Sequence, residues 1–174
     1  MTGKKFTPFP VLKTDRLTLR QLVISDDREI FALRSDEAVN KYLGRKASQS
    51  IDDVRSFIQA INENIRKNVS IYWAITLNGR DKLVGTICLF DFSGDGSRAE
   101  IGYELLPGFQ GNGIMQEAIS KVIEFGIKDI GLKSIEAYTH RDNQGSVRLL
   151  EKSHFKMERV DGEKFMIFKL TTNG

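Results

Sequence analysis

The sequence is poor in cysteine, in long apolar runs and in clustered charge of one sign. Of its 174 residues only Cys88 is a cysteine, which excludes an internal disulfide and fits a reducing compartment. No apolar run approaches a membrane span or a signal-peptide core, so we expect a cytoplasmic protein with no membrane partner. Lys and Arg number 26 against 23 Asp and Glu, and the two signs are interspersed. Although the calculated pI is about 9.0, no basic stripe predicts a nucleic-acid partner.

Histidine is also scarce. His140 and His154 lie far apart in the chain, and no cysteine or carboxylate stands at ligand spacing from them, so we predict no metal site. Cys88 lies between Ile87 and Leu89 in an apolar run, which favours a buried structural thiol over a nucleophile.

The length and the 40% apolar content predict one compact domain over residues 1–174, with an ordered core at about 12–170. Leu17 and Leu19 alternate with polar residues, which indicates a strand within 15–22. Ser25 is predicted to cap a helix that runs to about Ser35. Ser50 and Asp53 have capping-box spacing before a second amphipathic helix.

Short Gly-containing connections separate the next three predicted strands, which must therefore be antiparallel neighbours. A helix then runs from Ile114 to about Ile130, where Gly131 ends it. The order β-α-α-β-β-β-α-β-α-β-β predicts an α+β fold, with a mixed, mostly antiparallel seven-stranded sheet and helices on both faces. The strands after the first are predicted at 71–77, 83–92, 98–106, 134–140, 156–160 and 165–170, and the last helix at 143–153.

A glycine-containing segment lies directly between a predicted strand and the amphipathic helix that follows. Such a segment can aim backbone N–H groups at one anion near the positive end of the helix dipole. It lacks the Gly-Lys-Ser/Thr of a Walker loop, and Gln116 stands where a dinucleotide fingerprint needs its third glycine. Glycine spacing alone leaves a simple tight turn equally possible. The segment consists of Phe109, Gln110, Gly111, Asn112, Gly113, Ile114 and Met115.

Two motifs carry a resemblance to a known family. Gln110-x-x-Gly113, following Ala99-Glu100-Ile101-Gly102-Tyr103, resembles the acetyl-CoA motif of the GNAT N-acetyltransferase superfamily. Asn143-x-x-Ser146-x-Arg148-x-Leu150-Glu151-Lys152 resembles the Rim-type branch, which acetylates the N-termini of ribosomal proteins. The resemblance covers about residues 12–170. It implies transfer of acetyl from acetyl-CoA to a primary amine, either a protein N-terminus or a small amine, by direct attack in a ternary complex.

The same resemblance implies which residues hold the cofactor. The amide of Leu105 or Leu106 would face the thioester oxygen, and Asn143 and Ser146 would contact the cofactor arm. Ser146 would also protonate the departing thiolate. From the sequence alone, Asn143 equally fits a helix N-cap and Ser146 an ordinary first-turn residue. The diphosphate would be held mainly by the backbone of Gln110, Gly111, Asn112, Gly113, Ile114 and Met115.

The general base is predicted on the strand before this segment. Glu100 aligns with a strand glutamate that acts as base in histone-acetylating members of the superfamily. Glu104 lies on the same strand face by the two-residue period and is the second candidate. A chain of water molecules, or glutamates that are only solvated or salt-bridged, remain the alternatives.

Three residues depart from the family pattern. Met115 stands where glycine or alanine is usual, and His154 replaces a glycine at a position that needs positive φ, which histidine tolerates better than most residues. Leu150 stands where many branches place a thiolate-protonating tyrosine. Met115 and the missing tyrosine at Leu150 leave a catalytically silent acyl-CoA-binding regulatory module as the alternative function. The resemblance also allows a homodimer, although no sequence pattern marks an interface.

Overall fold

The computed structural model describes residues 4–43, 45 and 47–172. Within these residues the helices are α1 (Asp27–Ser35), α2 (Glu37–Asn40), α3 (Ile51–Arg66), α4 (Ile114–Phe125) and α5 (Gln144–Lys152). The strands are β1 (Leu12–Lys13), β2 (Leu17–Arg20), β3 (Ile71–Leu77), β4 (Leu83–Phe90), β5 (Arg98–Leu105), β6 (Ser134–His140), β7 (Lys156–Asp161) and β8 (Phe165–Thr171). They form one sheet in the order β1-β2-β3-β4-β5-β6-β8-β7.

The sheet is mixed and mostly antiparallel. Strands β1 to β5 form an antiparallel meander, and β6, β8 and β7 are also antiparallel to one another. Among the described strands, β5 and β6 are the only parallel neighbours, because α4 and the π-helical turn Gly126–Ile130 carry the chain back across the sheet between them. The predicted α+β class and the crossover to a mixed sheet are confirmed.

The predicted count of seven strands is wrong, since the sheet has eight. The additional strand is β1, whose Leu12 pairs with Leu19 of β2. The four-residue helix α2 was not predicted either; the Asp36 side chain caps it by accepting a hydrogen bond from the Val39 N–H at 2.8 Å. Both elements are too short for apolar periodicity to reveal them.

The predicted cap of the first helix is also wrong. A short 3₁₀ turn covers Ile24–Asp26, and α1 begins at Asp27 with no side-chain cap from Ser25. The buried Asp26 carboxylate fixes this turn instead, because it accepts from the Val23 N–H at 2.8 Å and pairs with Arg20 at 2.8 Å. The ion pair between Asp26 and Arg20, at the end of β2, thus takes the place of the predicted serine cap.

Other turn predictions are confirmed. The Ser50 side chain caps α3 by accepting from the Asp53 N–H at 3.1 Å. Gly131 ends the crossover helix with a φ of 88°, a conformation that glycine adopts without a steric penalty. His154 has a φ of 71°, as its place in the family pattern predicted.

Helices cover both faces of the sheet. On one face α1 and α3 pack Ile30, Leu33, Val54 and Ile58 against Ala74 of β3. On the other face α4 packs against the odd-numbered residues of β3 and their neighbours, and Trp73 is fully buried there against Phe125. Among the described residues, none of the helices is both long and apolar enough to cross a membrane.

Candidate active site

A gap opens in the middle of the sheet between β5 and β6. The parallel ladder joins only Arg98 to Ser134, Ala99 to Ile135 and Glu100 to Glu136. Beyond Glu100, β5 continues to Leu105 along β4, whereas β6 continues to His140 along β8. In this described part of the chain the two strands diverge, so their facing backbone edges border an open slot.

The odd-numbered backbone amides of β5 beyond Glu100 point into this gap. The Leu106 N–H donates to the Val84 carbonyl oxygen at 2.8 Å, which places the even-numbered amides of β5 toward β4. The Leu105 N–H therefore points the opposite way, and Gln110 Nε2 donates to the Leu105 carbonyl oxygen at 3.0 Å from that side. Of the two amides named from the sequence, Leu106 is used by the β4–β5 ladder and Leu105 is the one that faces the gap.

The glycine-containing segment forms a tight bend between β5 and α4. Gly111 and Gly113 have φ values of 83° and 76°, which residues with a side chain rarely adopt. Gly113 is the N-cap of α4 and contributes no side-chain cap, so the first-turn N–H groups have no partner within the helix. Ile114 and Met115 bury their side chains in the core and can offer a ligand only their backbone. Met115 is thus a packing residue, despite its departure from the family pattern.

An ion pair from the first hairpin holds this bend in place. Arg16 Nη1 donates to the Asn112 carbonyl oxygen at 2.9 Å, and Arg16 Nε pairs with Glu117 at 2.7 Å. Burial alone would raise the pKa of Glu117, but hydrogen bonds from Thr14 and Arg16 outweigh it and lower that pKa. Arg16 carried no sequence signal for this role, because nothing in the local pattern around residue 16 relates it to the bend.

A hydroxyl pair lies on the α5 side of the sheet. The Asn143 side chain accepts from the Ser146 N–H at 3.2 Å, which confirms Asn143 as the N-cap of α5. The Ser146 hydroxyl lies 2.8 Å from the hydroxyl of Tyr103. Burial raises the pKa of Tyr103 to about 12, although the Ser146 hydrogen bond lowers it, so the phenol is protonated at neutral pH. Tyr103 ends the motif Ala99–Tyr103, but that motif predicted no role for its hydroxyl.

Glu100 and Glu104 share one face of β5, as their spacing predicted. This face is opposite to the one that carries Tyr103. Glu100 lies where the β5–β6 ladder ends. Burial raises the pKa of Glu100 to about 7, and the negative charges of Asp91 and Glu136 add to that rise. Arg98 opposes it only in part. A carboxyl with this pKa can both accept and release a proton at neutral pH.

Glu104 lies farther along the same strand face and is engaged by an arginine. Its carboxylate pairs with Arg45 Nη1, and both side chains are largely buried. Arg45 Nε also donates to the Asn40 side chain at 2.7 Å. Arg34 of α1 reaches the same region and donates through Nε to the Ser48 hydroxyl at 3.1 Å. Neither arginine carried a sequence signal, since Arg34 lies within α1 and Arg45 in the connection that follows, and no recognisable motif includes either of them.

Cys88 is partly buried beside Gly102, and burial raises the pKa of its thiol to about 12, which disfavours the nucleophilic thiolate. Among the described residues, no three His, Cys, Asp or Glu side chains group closely enough to hold a metal ion. A surface cavity of about 530 Å³ lies between Phe6, Phe9 and α3 and shares no residue with the gap.

The chain resembles known acetyltransferases in both sequence and structure. The sequence profile of the acetyltransferase (GNAT) domain matches residues 16–156. An uncharacterised N-acetyltransferase of Bacillus subtilis, YoaA, is 40% identical over 152 residues, which cover 87% of this chain and 86% of that protein. An uncharacterised N-acetyltransferase of Bacillus licheniformis, p20, is 31% identical over 147 residues, covering 84% and 83%.

A solved structure shares the fold. RimL, a ribosomal L7/L12 α-N-protein acetyltransferase solved in complex with coenzyme A, superposes with a TM-score of 0.84 at 17% sequence identity. The superposition covers 93% of this chain and 98% of that one. At this identity the likeness establishes a shared fold and leaves the acceptor open.

Proposed function

The chain belongs to the GNAT acetyltransferase family, and from that premise we propose that it transfers acetyl from acetyl-CoA to a primary amine. The observation that carries the proposal is the gap between β5 and β6, with the Gly111–Gly113 bend beside it. A gap that exposes backbone amides can accept an extended amide-rich arm, and the bend can accept the diphosphate at the other end of that arm. Donor and acceptor would then meet in one ternary complex.

The cofactor would be bound mainly by backbone groups. The first-turn N–H groups of α4 would hold the diphosphate, while Arg16 keeps the bend in shape through Asn112 and Glu117. The Leu105 N–H would donate to the thioester oxygen. As the amine attacks, that oxygen becomes negative, and one preorganised donor of this kind contributes about 3 to 4 kcal/mol to the barrier reduction.

Glu100 would remove the proton from the attacking amine. Its pKa near 7 matches the requirement for a base at neutral pH, whereas Glu104 already has its carboxylate engaged by Arg45. Because Glu100 lies at the closed end of the gap, a water molecule would relay the proton where the acceptor amine does not reach it directly. This role rests on position and pKa together.

The Tyr103–Ser146 pair would supply the proton that the thiolate requires. When the Tyr103 hydroxyl donates to Ser146 Oγ, the Ser146 proton is free to point toward the leaving sulfur. Bond formation from nitrogen to the acetyl carbon and cleavage of the carbon–sulfur bond leave one thiolate, which this proton neutralises. Ser146 would take the Tyr103 proton in the same step, and solvent would then reprotonate Tyr103. The pair would compensate for the buried Leu150, which occupies the position where many branches place their tyrosine.

For the acceptor we propose a Rim-type substrate, either a protein N-terminus or a small amine. The motif from Asn143 to Lys152 supports this choice. The test is thiol release from acetyl-CoA with a panel of peptides and small amines, followed by mass spectrometry of the products. Tight coenzyme binding with no thiol release from any acceptor, including those in a cell extract, would instead identify a silent acyl-CoA-binding module.

A further inference from the structure

Two arginines and one glutamate lie close together on the face of the sheet that α1 and α3 cover. Arg45 pairs with Glu104, and the Arg34 guanidinium stacks over the Phe57 ring at 4.0 Å. Burial lowers the pKa of Arg34, and the positive charge of Arg45 lowers it further, so the two guanidinium groups repel each other electrostatically. We call Arg34, Arg45 and Glu104 the arginine cluster.

The arginine cluster has an excess of positive charge. Two guanidinium groups face one carboxylate, which leaves a net charge of +1 among these described residues. Arg45 Nη2 is buried and has no hydrogen-bond partner within the described part of the chain, although its Nη1 and Nε are both engaged. A buried guanidinium N–H without an acceptor is costly, so this position favours an incoming anion.

The arginine cluster borders the gap where the acceptor must enter. Glu104 lies four residues beyond Glu100 on β5, beyond the point where the β5–β6 ladder ends, and on the same strand face as Glu100. The connection that carries Arg45 also extends over the far side of the gap, because the Tyr42 ring lies 5.1 Å from the ring of His140 on β6. An amine that enters between these walls therefore passes the arginine cluster.

We propose that Arg34 and Arg45 bind an anionic group of the acceptor, so that the substrate is an amine carrying a nearby carboxylate or phosphate. The inference deepens the proposed acetyl transfer and rests on it. The planar guanidinium of Arg45 can keep Glu104 on one N–H and offer the other to a carboxylate or phosphate oxygen. A polycationic acceptor would instead meet two like charges with only one carboxylate to offset them.

The test compares acceptors that differ only in charge. One arm uses C-terminally amidated peptides with Ser-Asp, Ser-Asn or Ser-Lys at the N-terminus, and the other uses free glutamate against glutamine amide. A charge-assisted hydrogen bond to a buried group predicts a kcat/KM about tenfold or more higher for the acidic member than for its neutral amide. The arm that shows the larger ratio identifies whether the anion belongs to a peptide side chain or to a small amino acid.

Variants then connect the preference to the arginines. In R45Q and in R34Q we expect the ratio of kcat/KM for the acidic acceptor to kcat/KM for its neutral amide to fall toward one. In R45K this ratio should recover in part. Because the ratio is taken within one variant, general loss of activity or folded fraction cancels. R80Q is the matched control, since Arg80 is exposed in the β3–β4 turn and its loss should leave the ratio unchanged.

The outcomes separate the two proposals. Thiol release from all acceptors without preference for the anionic members, or a preference that survives R34Q and R45Q, would overturn the arginine proposal while acetyl transfer stands. Preference for Ser-Lys or for a polyamine would overturn it in the same way. No thiol release from any amine would overturn acetyl transfer itself, and with it this inference.

Discussion

Replacing Glu100 with glutamine should make the protein more stable and less active. The wild-type carboxyl has its pKa raised from 4.5 to about 7, so folding disfavours its charged form. The corresponding penalty is absent well below pH 4.5, grows as the pH rises, and is complete above the folded-state pKa. At about 1.36 kcal/mol per unit the full shift would cost about 3 kcal/mol. Because the side chain is only half-buried, solvent screening reduces our expectation to about 1 to 2 kcal/mol.

The measurement is thermal unfolding of wild type and E100Q at pH 5 and pH 8. Glutamine has the same shape without the charge, so E100Q should unfold about 3 to 6 °C higher than wild type at pH 8 for a chain of this length. The difference should be clearly smaller at pH 5. E163Q is the matched control, because Glu163 is exposed in the β7–β8 turn and should show no such pH-dependent gain.

The same variant tests the base. Wild-type kcat/KM should rise with pH through an apparent pKa near 7, and E100Q should lose that limb together with about 100-fold to 10,000-fold of its rate. A stability gain with unchanged activity would show a buried carboxyl that is not the base. If E100Q shows no stability gain that grows from pH 5 to pH 8, the reasoning from burial is refuted.

Three further perturbations address the cofactor side. Y103F and S146A should each lower kcat about tenfold to 100-fold with little change in the KM for acetyl-CoA. Because the two hydroxyls act as one unit, the double variant should have a kcat no lower than that of the worse single variant. Additive losses in the double variant would contradict this. G113A should lower the free energy of unfolding by about 1 to 2 kcal/mol, because Gly113 has a φ of 76°, and it should weaken coenzyme A binding measured by calorimetry. The control G94A replaces a turn glycine with open space around it and should not weaken that binding. R16A should raise the KM for acetyl-CoA several-fold by releasing the bend, and an unchanged KM would remove Arg16 from its support.

Local patterns predicted most of the elements, and the predictions failed where a side-chain or strand pairing that no pattern marks decided the structure. The caps at Ser50 and Asn143 depend on groups within three residues, so the sequence contained everything needed to place them. Asp26 instead pairs with Arg20 at the end of the preceding strand β2, and its carboxylate holds the turn Ile24–Asp26, so α1 begins at Asp27 and not after a Ser25 cap. The short strand β1 exists only because β2 is there to pair with it.

The sequence by itself determined the order of the elements, the glycine bend before α4 and the two glutamates on one strand face. These features follow from spacings of two to four residues, over which backbone geometry alone relates side chains. Only the tertiary structure decided which β5 amides face the gap, that Tyr103 meets Ser146, that Arg16 holds the bend, and that Arg45 pairs with Glu104. Each of these depends on which strand lies beside which and where a connection crosses the sheet, and no local spacing encodes a contact between residues tens of positions apart.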